Sequence, residues 1–296
     1  MTITASLVKE LRQRTSAGMM DCKQALTETN GDMEAAIDLM RTSGAAKATR
    51  KAGRITIEGL VKVNISADKK TVTILEVNSE TDFVTKGDVF IGFVDMLGTL
   101  ALKTTPINIE EFLSQTLDNG DSLEKAREDI IAKVGENIAI RRVQTITTNN
   151  GVIGTYKHGE RIAVVTVLEG GDEVLAKDIA MHIAASKPEC ISEAELSTDL
   201  LEREKAIFVK QAKESEKPDN FIEKIIVGRM KKFVNEITLY GQYFVKDPDT
   251  TIGKLVQSNN AQVKSFVRFE VGEGIEKKEE NFADEVMAQI QGANTD

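Results

Sequence analysis

The sequence predicts an α+β protein with a three-helix N-terminal module, two related subdomains, an inserted antiparallel helical hairpin and a C-terminal helix. Each subdomain is expected to pair a small antiparallel sheet with helices. Three observations carry this reading. Residues 1–53 hold three short helical patterns separated by turns that contain glycine. From Gly59 the apolar period changes from helical to twofold, as strands require. The order hairpin, helix, return strand then occurs twice along the chain.

Within 1–53, helices are predicted over 4–14, 20–29 and 33–42. Thr4 and Asp32 can cap N-termini, Gly31 supports a tight turn, and Gly44 is placed to terminate the third helix in a left-handed conformation. Leu7, Leu11, Ala25, Leu26, Ala36, Ile37 and Met40 supply a core. That core is marginal for independent stability at this size, which suits a compact recognition module. Residues 45–53, with Lys47, Arg50 and Lys51 among small residues, read as solvated linker or helix tail. The other use for those cations is phosphate binding.

The first core subdomain, 54–148, opens with strands over 60–65 and 72–78 around Asp68-Lys69-Lys70. Helices follow over 89–102 and 123–134. In the second, Asp121 followed by Glu124 resembles a capping box, and Gly135 ends the helix. A strand over 138–147 closes the unit. The second subdomain, 149–272, repeats the order: a strand over 151–156, the turn 157–160, a strand over 161–168, a helix over 172–185 and a return strand over 263–271. Val263, Val267, Phe269 and Val271 are expected on one face of that last strand.

An insertion at about 195–236 has a different character. Residues 197–216 and 220–235, broken at Lys217-Pro218-Asp219, carry narrow apolar stripes: Leu201 and Phe208 on one, Ile222, Ile226, Met230 and Phe233 on the other. A narrow stripe on a long polar helix is what an antiparallel helical hairpin needs. The final module, 273–296, holds a predicted helix over 282–290 capped by Asn281.

Composition narrows the function. Hydrophobic residues at 41% and charged residues at 29% belong to an ordinary globular protein. A formal net charge of −9 repels phosphate backbones, so direct nucleic-acid binding is not expected and a protein partner is. Cys22 and Cys190 are too few and too far apart for a disulfide scaffold or a zinc site. No signal-peptide pattern and no apolar run of membrane length occur, which points to a cytoplasmic protein. His158 and His182 have no partner nearby in sequence. Gly253-Lys254 lacks the first glycine of a phosphate loop, and Gly272-Glu273-Gly274 lacks the third glycine of a dinucleotide fingerprint. Neither an enzyme nor a cofactor, metal site or small-molecule substrate is expected.

One pattern stands out against this inventory. Thr81-Asp82-Phe83-Val84 sets a carboxylate beside a large ring where the strand 72–78 turns. Two readings stay open. Asp82 is a turn or helix N-cap residue with Phe83 folded into the core, or the pair is presented as a contact.

Longer motifs follow one another in a recognisable order. They are Leu7-Val8-Lys9-Glu10-Leu11-Arg12, Thr15-Ser16-Ala17-Gly18-Met19-Met20-Asp21-Cys22-Lys23, Gly44, the tetrapeptide above, Val134-Gly135-Glu136-Asn137, His182-Ile183-Ala184-Ala185-Ser186-Lys187-Pro188, Gly228-Arg229-Met230-Lys231-Lys232-Phe233 and Arg268-Phe269-Glu270-Val271-Gly272-Glu273-Gly274. Over nearly its whole length the chain thereby resembles the bacterial elongation factor Ts family. The resemblance implies a guanine-nucleotide exchange factor that binds elongation factor Tu with GDP and promotes exchange for GTP. It also implies that Thr81, Asp82, Phe83 and Val84 act in displacing the magnesium of that GTPase, and that Met19, Met20, Val134, Gly135 and His158 are further contacts. The N-terminal module then resembles a ubiquitin-associated domain, and the helical insertion matches the projecting coiled-coil arm of the family. One departure is visible: Gln242-Tyr243-Phe244-Val245 stands where many members carry Gln-Pro-Phe-Val. The alternative reading is an adaptor that docks a partner through the N-terminal helices without exchange.

Overall fold

The computed structural model describes residues 3–15, 17–213 and 219–276. The expected helix over 282–290 and the expected break at 217 and 218 lie outside the described residues.

The N-terminal module is α1 (Ala5–Thr15), α2 (Met19–Glu28) and α3 (Met33–Lys51). Its caps follow from short polar side chains: Thr4 Oγ1 accepts from Leu7 N at 3.3 Å and Asp32 Oδ1 from Ala35 N at 3.0 Å. Asn30 and Gly31 take positive φ of 53° and 88° in the turn between α2 and α3. Val8, Leu11, Cys22, Leu26 and Ala36 form the buried core. Gly44 does not end α3. The helix continues to Lys51 through alanines and basic residues that favour it. At Gly44 a side chain would stand 3.3 Å from Ala132 Cβ, so this glycine lets α3 lie close against a later helix. Ala48 joins the core of the next unit, so the segment expected as a linker is largely a docked helix.

The first sheet unit comprises β1 (Glu58–Ile65), β2 (Thr71–Ser79), α4 (Asp82–Thr85), α5 (Asp88–Thr104), α6 (Ile109–Leu113), α7 (Leu123–Val134) and β3 (Ile138–Thr147), with an antiparallel sheet in the order β1-β2-β3. Leu75 and Val77 meet Phe90, Leu97, Phe112 and Ile131 in its core. Ser122, not Asp121, caps α7, accepting from Lys125 N at 3.1 Å. Gly135 ends that helix with φ 79°.

The second unit comprises β4 (Val152–His158), β5 (Ile162–Glu169), α8 (Glu173–Ser186), the arm helices α9 (Thr198–Lys213) and α10 (Asp219–Ile237), the ribbon β6 (Tyr243–Phe244) and β7 (Asp247–Thr251), α11 (Ile252–Ser258) and β8 (Gln262–Glu270). Its main sheet is antiparallel in the order β4-β5-β8. Asp172 caps α8 through Leu175 N at 2.8 Å. In the arm, the rings of Phe208 and Phe233 meet edge to face at 6.3 Å. The register between β5 and β8 shifts at Val167/Leu168, leaving Lys264 as the extra residue. This bulge turns Val263 toward α8, whereas Phe269 and Val271 face the other sheet, so the four valine and phenylalanine positions do not share one face.

The two sheets close on one another. Val61, Val72, Ile74, Val165, Val167 and Phe269 fill the layer between them. At its edge sits Glu76, fully buried. A register shift at Glu76/Val77 makes Arg141 an extra residue on β3, so both Arg141 and Arg142 reach the Glu76 carboxylate. Asn78 Nδ2 and Gly272 N also donate to it, at 3.0 and 2.9 Å. Arg142 stacks 4.0 Å over the Phe269 ring and donates to Glu270 O at 3.0 Å. One carboxylate therefore ties β2, β3 and the chain leaving β8.

Candidate partner-contact site

β2 ends at Ser79 and the chain turns sharply into α4, a helix of four residues. Thr81 holds the N-cap position in an extended conformation, φ −125° and ψ 159°, but its side chain does not cap the helix. Its hydroxyl instead donates to Glu136 Oε1 at 2.6 Å and its backbone N–H to Glu136 Oε2 at 2.9 Å. Ser79 Oγ donates to Thr81 O at 2.9 Å and Thr85 Oγ1 to Asp82 O at 2.8 Å. Gly87 N returns to Val84 O, which closes the turn before α5.

Within this turn the four side chains divide. Val84 packs against the core of the first unit. Phe83 does not fold back: it is 82% exposed, against 63% for Tyr243 and 56% for Phe221, and is the most exposed aromatic ring among the described residues. An exposed ring of this size forgoes roughly 1.5–3 kcal/mol of burial, so its position carries a cost that the free protein does not recover. Asp82 occupies the first turn of α4 rather than its N-cap and pairs with Lys86 at 2.5 Å. Hydrogen bonding and charge from Lys86 hold its carboxyl below the usual range, so it is a carboxylate at neutral pH, available as an acceptor.

Beside Asp82 runs a cleft of about 690 Å3 between the two units. Leu60, Ile91 and Val94 lie in it with Lys62, Asp95 and Arg161, and its charged residues are already paired: Lys62 with Asp95 at 2.5 Å, Lys157 with Glu160 at 2.6 Å. His158 is exposed at the end of β4, and its neighbours Lys157, Glu160 and Arg161 line the same cleft. Val134 and Gly135 at the end of α7 join the tetrapeptide through Glu136, the next residue. Met19 and Met20 stand 58% and 75% exposed on the first turn of α2. His182 is fully buried on α8; burial lowers its pKa and Nε2 lies 3.0 Å from Gln242 Oε1. Glu136 was missed by sequence reasoning, because only its contact with Thr81, 55 residues away, gives it a role.

Among the described residues no group of His, Cys, Asp and Glu side chains could hold a metal, and no helix is long and apolar enough to cross a membrane. What the site can offer chemically is a rigidly mounted apolar ring, an acceptor beside it and further apolar contacts on α2.

Residues 80–273 match the family described as Elongation factor TS. Elongation factor Ts of Vesicomyosocius okutanii is 78% identical over 290 residues, covering 98% of this chain and all of that protein. The Thioalkalivibrio sulfidiphilus and Methylococcus capsulatus proteins of the same name are 56% identical over 294 residues and 53% identical over 293, each covering 99% of this chain and the whole of its own length.

Proposed function

The chain belongs to the elongation factor Ts family, and on that premise we propose that it exchanges nucleotide by contact alone, with Phe83 as the group that enters its partner. Its role is guanine-nucleotide exchange on elongation factor Tu in translation elongation. It binds the GDP form and promotes replacement of GDP by GTP.

The observation that carries the mechanism is the exposure of Phe83 on a clamped turn. Magnesium bridges nucleotide phosphates to the GTPase and carries much of the local positive charge. A ring wedged into the packing behind the loops that hold the ion shifts those loops, and the Asp82 carboxylate accepts hydrogen bonds from the moved groups. No covalent step is involved. By linkage, a factor that prefers nucleotide-free elongation factor Tu weakens nucleotide binding by the same factor, with ordinary couplings of about 1–3 kcal/mol. Met19 and Met20 on the N-terminal module, Val134 and Gly135 at the end of α7, and His158 on the second unit extend the contact. Methionine suits such adaptable surfaces. The net charge of −9 argues against nucleic acid as a direct ligand, and the reading places the protein in the cytoplasm, with no membrane and no small-molecule substrate of its own.

Mixing the protein with elongation factor Tu loaded with fluorescent GDP tests the reading. Accelerated GDP release is expected. A complex that forms without acceleration would instead indicate an adaptor.

A further inference from the structure

A four-residue helix cannot hold an exposed ring in place by itself, since the first helical turn is unfavourable to form. Two loops supply the restraint by exchanging carboxylates. Glu136 binds both the N–H and the hydroxyl of Thr81. In return Glu80, the residue before Thr81, accepts from Asn137 N at 2.6 Å, the residue after Glu136. Asn137 Nδ2 donates to Arg54 O at 2.9 Å, and Arg54 pairs with Glu80 at 3.3 Å. The left-handed Gly135 aims this loop, and its carbonyl accepts from Lys51 Nζ at the end of α3. The turn bearing Phe83 is thereby braced on α7 and, through Lys51, on the N-terminal module.

We propose that Glu136 is a positioning residue of the exchange reaction: its carboxylate fixes Thr81 and so holds Phe83 in the orientation that enters the partner. The inference rests on the reading of Phe83 as the entering group. Charge-assisted bonds to a backbone N–H and a hydroxyl are strong enough to select one conformation of a short turn. Without them the ring samples other orientations, and its productive state becomes a fraction of the population. The remaining contacts, on α2 and the second unit, still dock the partner.

The test is a double-mutant cycle on GDP release from elongation factor Tu, with the full-length chain. Glu136→Ala is expected to lower kcat roughly tenfold with KM nearly unchanged, the scale of losing charge-assisted hydrogen bonds. Hydrogen exchange at the Thr81 amide should accelerate in the same variant. In a Phe83→Ala background, Glu136→Ala should have no further effect, because it acts through the ring. Should Glu136→Ala fail to fold, Thr81→Val removes only the 2.6 Å hydroxyl bond and should lower kcat about threefold. If Phe83→Ala is slow but Glu136→Ala releases GDP at the wild-type rate, or the two losses multiply, the positioning role is overturned. Wild-type release by Phe83→Ala would instead remove the ring mechanism itself, and the positioning role with it.

Discussion

The two sheet units share a plan and differ at one corner. In each, a hairpin leads to a helix and a later strand pairs with the hairpin's second strand, in the orders β1-β2-β3 and β4-β5-β8. In each, the last pairing carries a bulge, with Arg141 or Lys264 as the extra residue. The second unit passes from β5 to α8 through Gly170 and Gly171, both at positive φ, directly to the Asp172 cap. The first inserts α4 at that corner, and with it the exposed Phe83. A fold that needs only a strand-to-helix turn is completed by two glycines and a capping aspartate. Val84 of the extra turn packs into the core, whereas Phe83 gains no burial in the free protein, and the proposed contact gives that exposed ring a use.

The joint between the units depends on one buried carboxylate, Glu76. Glu76→Ala leaves two guanidinium groups without their buried carboxylate and should cost about 3–5 kcal/mol, read as a fall in the denaturation midpoint. A loss below about 1 kcal/mol would mean that the sheets are held together by their apolar layer alone.

Helix-on-sheet contact separates the units more finely. In the second, Gly154 on β4 lies under α8, and a Cβ there would come within 2.2 Å of the Ala176 carbonyl carbon. In the first, the glycine is on the helix: a Cβ at Gly98 would meet Asn64 Oδ1 at 2.5 Å and Lys62 Cγ at 2.8 Å, side-chain rather than backbone atoms. Gly154→Ala should therefore destabilise by about 3 kcal/mol. Gly98→Ala should cost less, since side chains yield more readily than backbone and the roughly 1 kcal/mol gain in helix propensity offsets part of the crowding. Equal costs in thermal unfolding would show that backbone and side-chain obstacles are not distinguished here.

The smallest expected effect is in pH dependence. α8 buries His182, and burial lowers its pKa, so the folded state binds a proton less readily than the unfolded chain. Its contribution is fully present above the ordinary histidine value of about 6.5 and declines as pH falls below it toward the depressed folded value. Urea midpoints from pH 7.5 to 5 should fall more steeply for the wild type than for His182→Gln. Identical slopes would remove His182 from the pH response.

Much of this plan was legible in the sequence because its signals are local. Strand alternation in 60–65 and 72–78, the Asp32 cap and the terminating Gly135 each speak within a few residues. Other features were not local. Gly44 has the chemistry of a helix terminator, yet helix-forming residues follow it and Ala132 packs against it from α7. Asp121 and Ser122 compete for one cap, and geometry chose the serine. A bulge of one residue reversed the facing of Val263. α4 is too short to show a helical period, so residue chemistry left the choice between a buried and an exposed Phe83 open, and the clamp by Glu136 has no sequence signature.

Stopped-flow measurement of GDP release from elongation factor Tu with Phe83→Ala shows whether this inserted corner drives exchange. The variant should fold and still bind nucleotide-free elongation factor Tu, with release at saturating factor slowed roughly thirtyfold, the equivalent of about 2 kcal/mol for a truncated anchor. Release at the wild-type rate from an intact complex would remove this corner from the exchange step.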